Sequence, residues 1–145
     1  MNIKTGSLLA LLVAVAGVLF LVENGYVFSK NVIAIPIQVF AALLMFWARI
    51  TFGTRSFHAT ANTTQGKLVV NGPYRWFRHP IYAALIYFFW ASFIAYPHKE
   101  TLAAVILISG GLFVRMLLEE KSLFSTYPEY ADYAKKTKRI IPFLF

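Results

Sequence analysis

Residues 5–22 read TGSLLALLVAVAGVLFLV and carry no charged side chain over 18 positions. At a helical rise of about 1.5 Å per residue this stretch is about 27 Å long, close to the roughly 30 Å hydrocarbon core of a bilayer. It is too long for the apolar region of a typical signal peptide and lacks a convincing cleavage site. We therefore interpret it as a retained membrane-spanning helix.

Three further apolar stretches have similar length. Hydrophobic residues make up 59% of the 145-residue chain and charged residues 14%, a balance that departs strongly from that of soluble domains. Because lipid offers the backbone no hydrogen-bond partners, such stretches must be helical. The sequence predicts an all-α, polytopic integral membrane protein, a single membrane domain over 1–145. We expect four spans at approximately 5–28, 31–52, 80–96 and 101–118.

The basic residues predict the orientation of these spans. Eleven Lys and Arg residues fall on one side of the predicted bundle and two, Lys30 and Lys99, on the other. The positive-inside rule then places both termini and the long loop from Arg49 to His79 in the cytosol. Since the basic residues flank apolar runs, we interpret the net charge of +8 as membrane orientation and not as nucleic-acid binding. We expect a prokaryotic inner membrane rather than the endoplasmic reticulum.

Smaller features predict how the helices connect and pack. The links at 23–30 and 97–100 are short, so each is expected to join an antiparallel helix pair. Gly110 and Gly111 would allow a close approach between helices. The tail YPEYADYAKKTKRIIPFLF, residues 127–145, is typical of a short interfacial helix with tyrosines on one face and basic residues after them.

The stretch NGPYRWFRHPIY, residues 71–82, concentrates polar chemistry before the third span. Asn71-Gly72-Pro73 predicts a turn, and Pro80 predicts a helix start. Aromatic anchoring at the membrane surface explains Trp76 and Phe77, but it explains less well the residues His79 and Tyr82. Backbone donors at a helix start, with these two side chains, are suited to binding a carboxylate. The three histidines lack metal-ligand spacing, and there is no cysteine, so we expect no metal site and no thiolate nucleophile.

Arg115 lies inside an otherwise apolar span, four residues before Glu119 and hence on the same helix face. An ionisable residue at membrane depth indicates function, while an arginine that reaches the interface and pairs with a glutamate is the alternative. Spacing alone leaves these two interpretations open.

GPYRWFRHPIY, followed by an apolar hairpin and then by RMLLEEKSLFSTYPEYADYAKKTKRIIPF, resembles the isoprenylcysteine carboxyl methyltransferase family. It is similar, more distantly, to the phospholipid N-methyltransferases. The resemblance covers residues 67–145 and implies S-adenosylmethionine as methyl donor, while residues 59–65 match poorly. It assigns Arg115 to the carboxylate of the substrate. The implied cofactor contacts are Leu68, Val69, Tyr74, His79, Pro80, Tyr82 and Glu119.

The resemblance predicts an S-adenosylmethionine-dependent membrane methyltransferase with its active site facing the cytosol. The expected acceptor is the carboxylate of a lipidated or apolar molecule. A phosphatidylethanolamine-type N-methyltransferase is the alternative enzyme, but Arg115 would repel its ammonium acceptor. A non-catalytic module that binds a membrane lipid or a partner is the alternative from another class.

Overall fold

The computed structural model describes residues 3–53 and 67–141. Within these two ranges the regular structure is helical, as predicted, with one isolated bridge between backbone segments. A 3-10 turn, Gly72–Arg75, precedes the third helix. The helices are α1 (Ile3–Glu23), α2 (Ala34–Phe52), α3 (Pro80–Ala95), α4 (Lys99–Thr126) and α5 (Tyr130–Lys136).

Three of these helices, α1, α2 and α4, are long and apolar enough to cross a bilayer, and α3 is a shorter apolar helix of 16 residues. Their outward faces carry large exposed hydrophobic side chains, such as Leu12, Leu43 and Ile106. Lipid is the environment that accommodates such surfaces, because contiguous apolar faces of this extent are rare on proteins in water. The chain is therefore a polytopic integral membrane protein.

Local hydrogen bonds give helix limits that differ from the predicted spans. The first helix ends at Glu23 because the Asn24 side chain donates to the Phe20 carbonyl and Gly25 adopts a positive φ of 70°. The second begins at Ala34, where the Asn31 carboxamide oxygen accepts hydrogen bonds from two backbone amides. The fourth continues past residue 118 to Thr126, so its last turns extend beyond a hydrocarbon core of about 30 Å.

The helices pack in the order α1, α4, α3, α2, so the predicted α1–α2 pair is not the main contact of either helix. Small residues bring α1 and α4 together. A Cβ atom on Gly111 would lie 2.5 Å from the Ala10 carbonyl oxygen, and one on Gly17 would lie 2.8 Å from that of Ala104. Gly110 has open space around it, so Gly111 alone of the predicted glycine pair supports the close approach.

The link between α1 and α2 passes over the end of α3, where buried polar groups hold it. Gln38, on α2, donates from Nε2 to the Val27 carbonyl at 2.7 Å and to Ser92 Oγ at 3.2 Å. Its Oε1 accepts from the Ser29 amide at 3.0 Å. These bonds satisfy a buried carboxamide and connect α2, α3 and the α1–α2 link at this end of the bundle.

Candidate functional site

The polar side chains collect at the other end of the bundle, where α2 and α4 end and α3 begins; we call it the motif end. The chain enters it through the predicted turn. Gly72 has a φ of 57°, and a Cβ atom there would lie 2.6 Å from Thr51 Oγ1, so glycine suits this position on both counts. Pro80 is the first residue of α3, as predicted, where its missing N–H removes no helical hydrogen bond.

The C-terminal segment, residues 130–141, docks against this turn and forms a short parallel bridge with it at Phe77 and Lys138. The backbone amides of Arg78 and His79 donate to the carbonyls of Lys138 and Arg139 at 2.7 and 3.1 Å, and the Lys138 amide donates to the Trp76 carbonyl at 3.2 Å. The Tyr133 hydroxyl, on α5, donates to the Tyr74 carbonyl at 2.7 Å. The predicted tail helix is thus present, but its tyrosine face packs on protein.

A buried carboxylate, Glu120, lies at the centre of the docked segments. Its Oε1 accepts from Arg78 Nε at 2.9 Å and lies 3.3 Å from His79 Nε2. Its Oε2 accepts from Arg139 Nε at 3.0 Å. Only 6% of the Glu120 side chain is exposed, so its charge depends on these partners.

A second polar group lies one helical turn earlier on α4. The Arg115 guanidinium is buried and donates from Nε to the Tyr82 hydroxyl at 2.9 Å. The Glu119 carboxylate interacts with the same hydroxyl. The His79 ring, whose centroid lies 5.6 Å from that of Tyr82, connects this group to the Glu120 cluster.

Tyr74 completes the motif end from the side of the turn. Its ring is buried and packs 5.6 Å from the Phe52 ring. Burial, followed by the nearby Glu119 charge, raises the pKa of the Tyr74 phenol well above its usual value. The phenol therefore stays protonated and keeps its hydrogen-bond donor.

The structure thus brings four of the predicted residues into one polar region: His79, Tyr82, Arg115 and Glu119. Pro80 is buried at the start of α3, and Leu68 and Val69 are half-buried in the segment that leads into the turn. Residues 59–65 lie outside the described ranges. The prediction overlooked Arg78, Glu120, Tyr133 and Arg139.

A purely apolar groove of about 640 Å³ runs beside the polar region, along α2. At the motif end it is lined by Trp47 and Trp76, whose rings meet edge to face with their centroids 5.8 Å apart. Phe77, which also lines it, is followed directly by Arg78 and His79. The other lining residues are Phe40, Leu43, Leu44 and Phe46.

This arrangement combines two chemistries within a few residues. Arg115 and Tyr82 offer hydrogen-bond donors, and Glu119 offers an acceptor, which suits an anionic or zwitterionic ligand. The groove offers apolar surface that opens towards lipid. Such a site can bind a molecule with a charged head and an apolar chain across the membrane boundary.

Comparison with known proteins points to one family. A profile of the isoprenylcysteine carboxyl methyltransferase family matches residues 32–125, which contain α2, the 3-10 turn, α3 and nearly all of α4. The match thus includes α2, for which the sequence predicted no motif. No solved structure matches the chain significantly.

A relative from Xenopus laevis, a protein-S-isoprenylcysteine O-methyltransferase, is 30% identical over 118 residues. The alignment covers 79% of this chain but 41% of the relative, so the chain spans less than half the length of that protein. The family match covers more than half of the chain and includes the turn Gly72–Arg75, Tyr82 and Arg115. The chain therefore belongs to the isoprenylcysteine carboxyl methyltransferase family.

Proposed function

We propose that the protein is an S-adenosylmethionine-dependent methyltransferase that modifies a carboxylate on a lipidated or apolar acceptor. The observation that carries this proposal is the Arg115 guanidinium, which is buried within a membrane helix and donates a hydrogen bond to Tyr82, in the stretch 71–82. Burial of a charge at this depth is costly, which makes a role in binding an anion the favoured explanation. Family membership supplies the reaction class.

The side chains at the motif end fit a polar, zwitterionic methyl donor. S-adenosylmethionine supplies an electrophilic methyl group on a positively charged sulfonium. The proposed contacts of this cofactor include phenol hydroxyls, an imidazole and a carboxylate, which together donate to and accept from such a molecule. They are Tyr74, His79, Tyr82 and Glu119, with Leu68, Val69 and Pro80 as apolar contacts.

Arg115 is proposed to orient the acceptor. A carboxylate is ionised at pH 7 and needs no general base, so the protein's task is to hold it in line at the reacting distance. A guanidinium holds a carboxylate through a planar pair of donors. An amine acceptor must first lose a proton, and a buried guanidinium disfavours its ammonium form, so this geometry argues against an aminophospholipid acceptor.

The apolar groove is proposed to take the chain of the acceptor. Its volume of about 640 Å³ falls within the range of about 300–1,000 Å³ typical of small-molecule sites. Its lining from Phe40 to Phe77 is apolar throughout, and it ends next to the residues that lead into the polar region. A chain bound there would enter from lipid and direct its head group towards Arg115.

Calorimetry with S-adenosylhomocysteine on the purified protein in detergent tests this function. We expect the wild type to bind, and His79→Ala or Glu119→Ala to weaken binding by about 1–3 kcal/mol each, as expected for lost charge-assisted hydrogen bonds. Lys135→Ala is the matched control, because this side chain is exposed on α5 and pairs with Asp132. Folded wild type without affinity for this ligand would refute the proposal.

A further inference from the structure

We propose that Glu120, which the resemblance assigns no role, is a positioning residue that couples docking of the C-terminal segment to the placement of His79. The inference rests on the proposed function in one respect, namely that His79 contacts the cofactor. Its structural part stands on the contacts of Glu120 alone.

A single carboxylate connects three parts of the chain. Glu120 belongs to α4, Arg78 and His79 to the residues just before α3, and Arg139 to the C-terminal segment. The side chains of Glu120, His79 and Arg78 are 6%, 4% and 10% exposed. Because charges buried to this degree need compensation, removal of Glu120 or Arg78 leaves the charge of the other with less compensation.

Arg78 extends the coupling to α5. Its Nε binds Glu120, while its Nη1 donates to the carbonyls of Ala134 and Thr137, the latter at 3.0 Å. These carbonyls belong to the last turn of α5 and the residue after it, which have no helical partner further along the chain. Arg78 thus caps the free carbonyls at the end of α5 and binds the buried carboxylate at the same time.

The same carboxylate sets the orientation of His79. An ionised carboxylate can only accept hydrogen bonds, so the Nε2 atom that faces it must carry a proton. This leaves Nδ1 as the nitrogen available to other partners and prevents the ring from flipping. The backbone amide of His79 is held independently by the Arg139 carbonyl.

Glu119 and Glu120 therefore have different tasks although they are neighbours. Glu119 interacts with Tyr82 and lies near Tyr74, both of which are proposed cofactor contacts. Among the described residues, Glu120 contacts Arg78, His79 and Arg139, and of these His79 is a proposed cofactor contact. Removal of Glu120 is thus expected to loosen the docking of the C-terminal segment and to release the His79 ring at the same time.

Hydrogen exchange of the full-length protein, measured by mass spectrometry, and ¹⁵N shifts of labelled histidine test this coupling. In Glu120→Gln we expect the amides of residues 78, 79 and 138 to exchange at least about tenfold faster, the change that corresponds to one lost charge-assisted hydrogen bond. The His79 signal, assigned by its absence in His79→Gln, should change from a single Nε2-protonated tautomer to a mixture. Affinity for S-adenosylhomocysteine should fall at least about tenfold.

Two further variants keep the test decisive. Arg139→Gln removes the ion pair between Arg139 and Glu120. The Arg139 side chain is 31% exposed, so the fold should persist, while hydrogen exchange at the same amides should become faster. The double variant, with Glu120→Gln and Arg139→Gln, should show exchange no faster than Glu120→Gln alone, because both changes break the same network. Asp132→Asn, on the exposed face of α5, is the control and should change nothing.

The outcomes separate this proposal from the proposed function. Unchanged exchange in Glu120→Gln, or faster exchange with an unchanged His79 tautomer, would overturn the coupling. Faster exchange and a mixed tautomer with unchanged ligand affinity would overturn the functional role of Glu120 while leaving the methyltransferase intact. A wild type that binds no ligand would overturn the proposed function, and exchange and tautomer would still decide the structural coupling.

Discussion

The close contact between α1 and α4 gives a quantitative prediction, because two adjacent glycines can receive the same substitution. A Cβ atom on Gly111 would lie 2.5 Å from the Ala10 carbonyl oxygen and 3.0 Å from the Ala14 nitrogen. Both are backbone atoms that no rotamer change can move. The helices would have to separate by about 1 Å to restore an ordinary contact of about 3.5 Å. Overpacking of this kind costs about 1–3 kcal/mol.

Gly110 is the matched control for this substitution. A Cβ atom there meets nothing within 4 Å, so Gly110→Ala brings only the gain in helix propensity, about 1 kcal/mol. Gly111→Ala brings the same gain and adds the clash. We therefore expect Gly110→Ala to stabilise the protein and Gly111→Ala to have a free energy of unfolding about 1–3 kcal/mol below that of Gly110→Ala.

Reversible unfolding in mixed detergent micelles, followed by circular dichroism, measures this difference directly. The comparison isolates packing, since both glycines lie in the interior of the same helix. Equal unfolding free energies for the two variants would refute the placement of α1 against α4.

Three other predictions follow from named contacts. Arg115→Lys should keep affinity for S-adenosylhomocysteine but lower the rate of methyl transfer at least about 100-fold. The reason is that one ammonium group cannot replace a planar guanidinium that also binds Tyr82. Near-normal transfer by this variant would remove Arg115 from the active site. Gln38→Leu should lower the free energy of unfolding by about 1–3 kcal/mol, because it leaves the Ser29 amide without its partner, and should leave ligand affinity unchanged at the motif end. Cysteines introduced singly at Lys136 and Lys30, in a chain that has none, should be labelled from the cytosolic and the external side respectively, and the reverse pattern would invert the predicted orientation.

Much of the fold could be predicted from the sequence because lipid permits few structures. Long uncharged stretches must be helices, and the turn and helix-start signals around Gly72 and Pro80 depend on local backbone geometry. The order of the helices was less accessible. The short α1–α2 link predicted a neighbouring pair, whereas the small residues Gly17 and Gly111 direct α1 to α4. Spacing of small residues along α1 was the signal that could have indicated this.

The candidate site was predicted in part. Arg115 and Tyr82 lie in contact. This contact joins the two stretches that carry the family resemblance, since Tyr82 lies in GPYRWFRHPIY and Arg115 begins RMLLEEK. The doublet of Glu119 and Glu120 was harder to interpret, because adjacent residues point about 100° apart on a helix and sequence alone does not say which faces inward. The partners of Glu120 come from three segments that only the tertiary structure brings together, and so its cluster was overlooked.

Methyl transfer by the purified wild type is the most direct test of the central claim, that Arg115 and the motif end form an active site for a carboxylate on an apolar chain. The protein would be supplied with methyl-labelled S-adenosylmethionine and, in parallel, with a prenylated cysteine analogue bearing a free carboxylate or with an aminophospholipid. We predict a base-labile methyl ester on the cysteine analogue and no labelled phospholipid. Labelled phospholipid without labelled ester, or transfer to neither acceptor by protein that binds the cofactor, would contradict it.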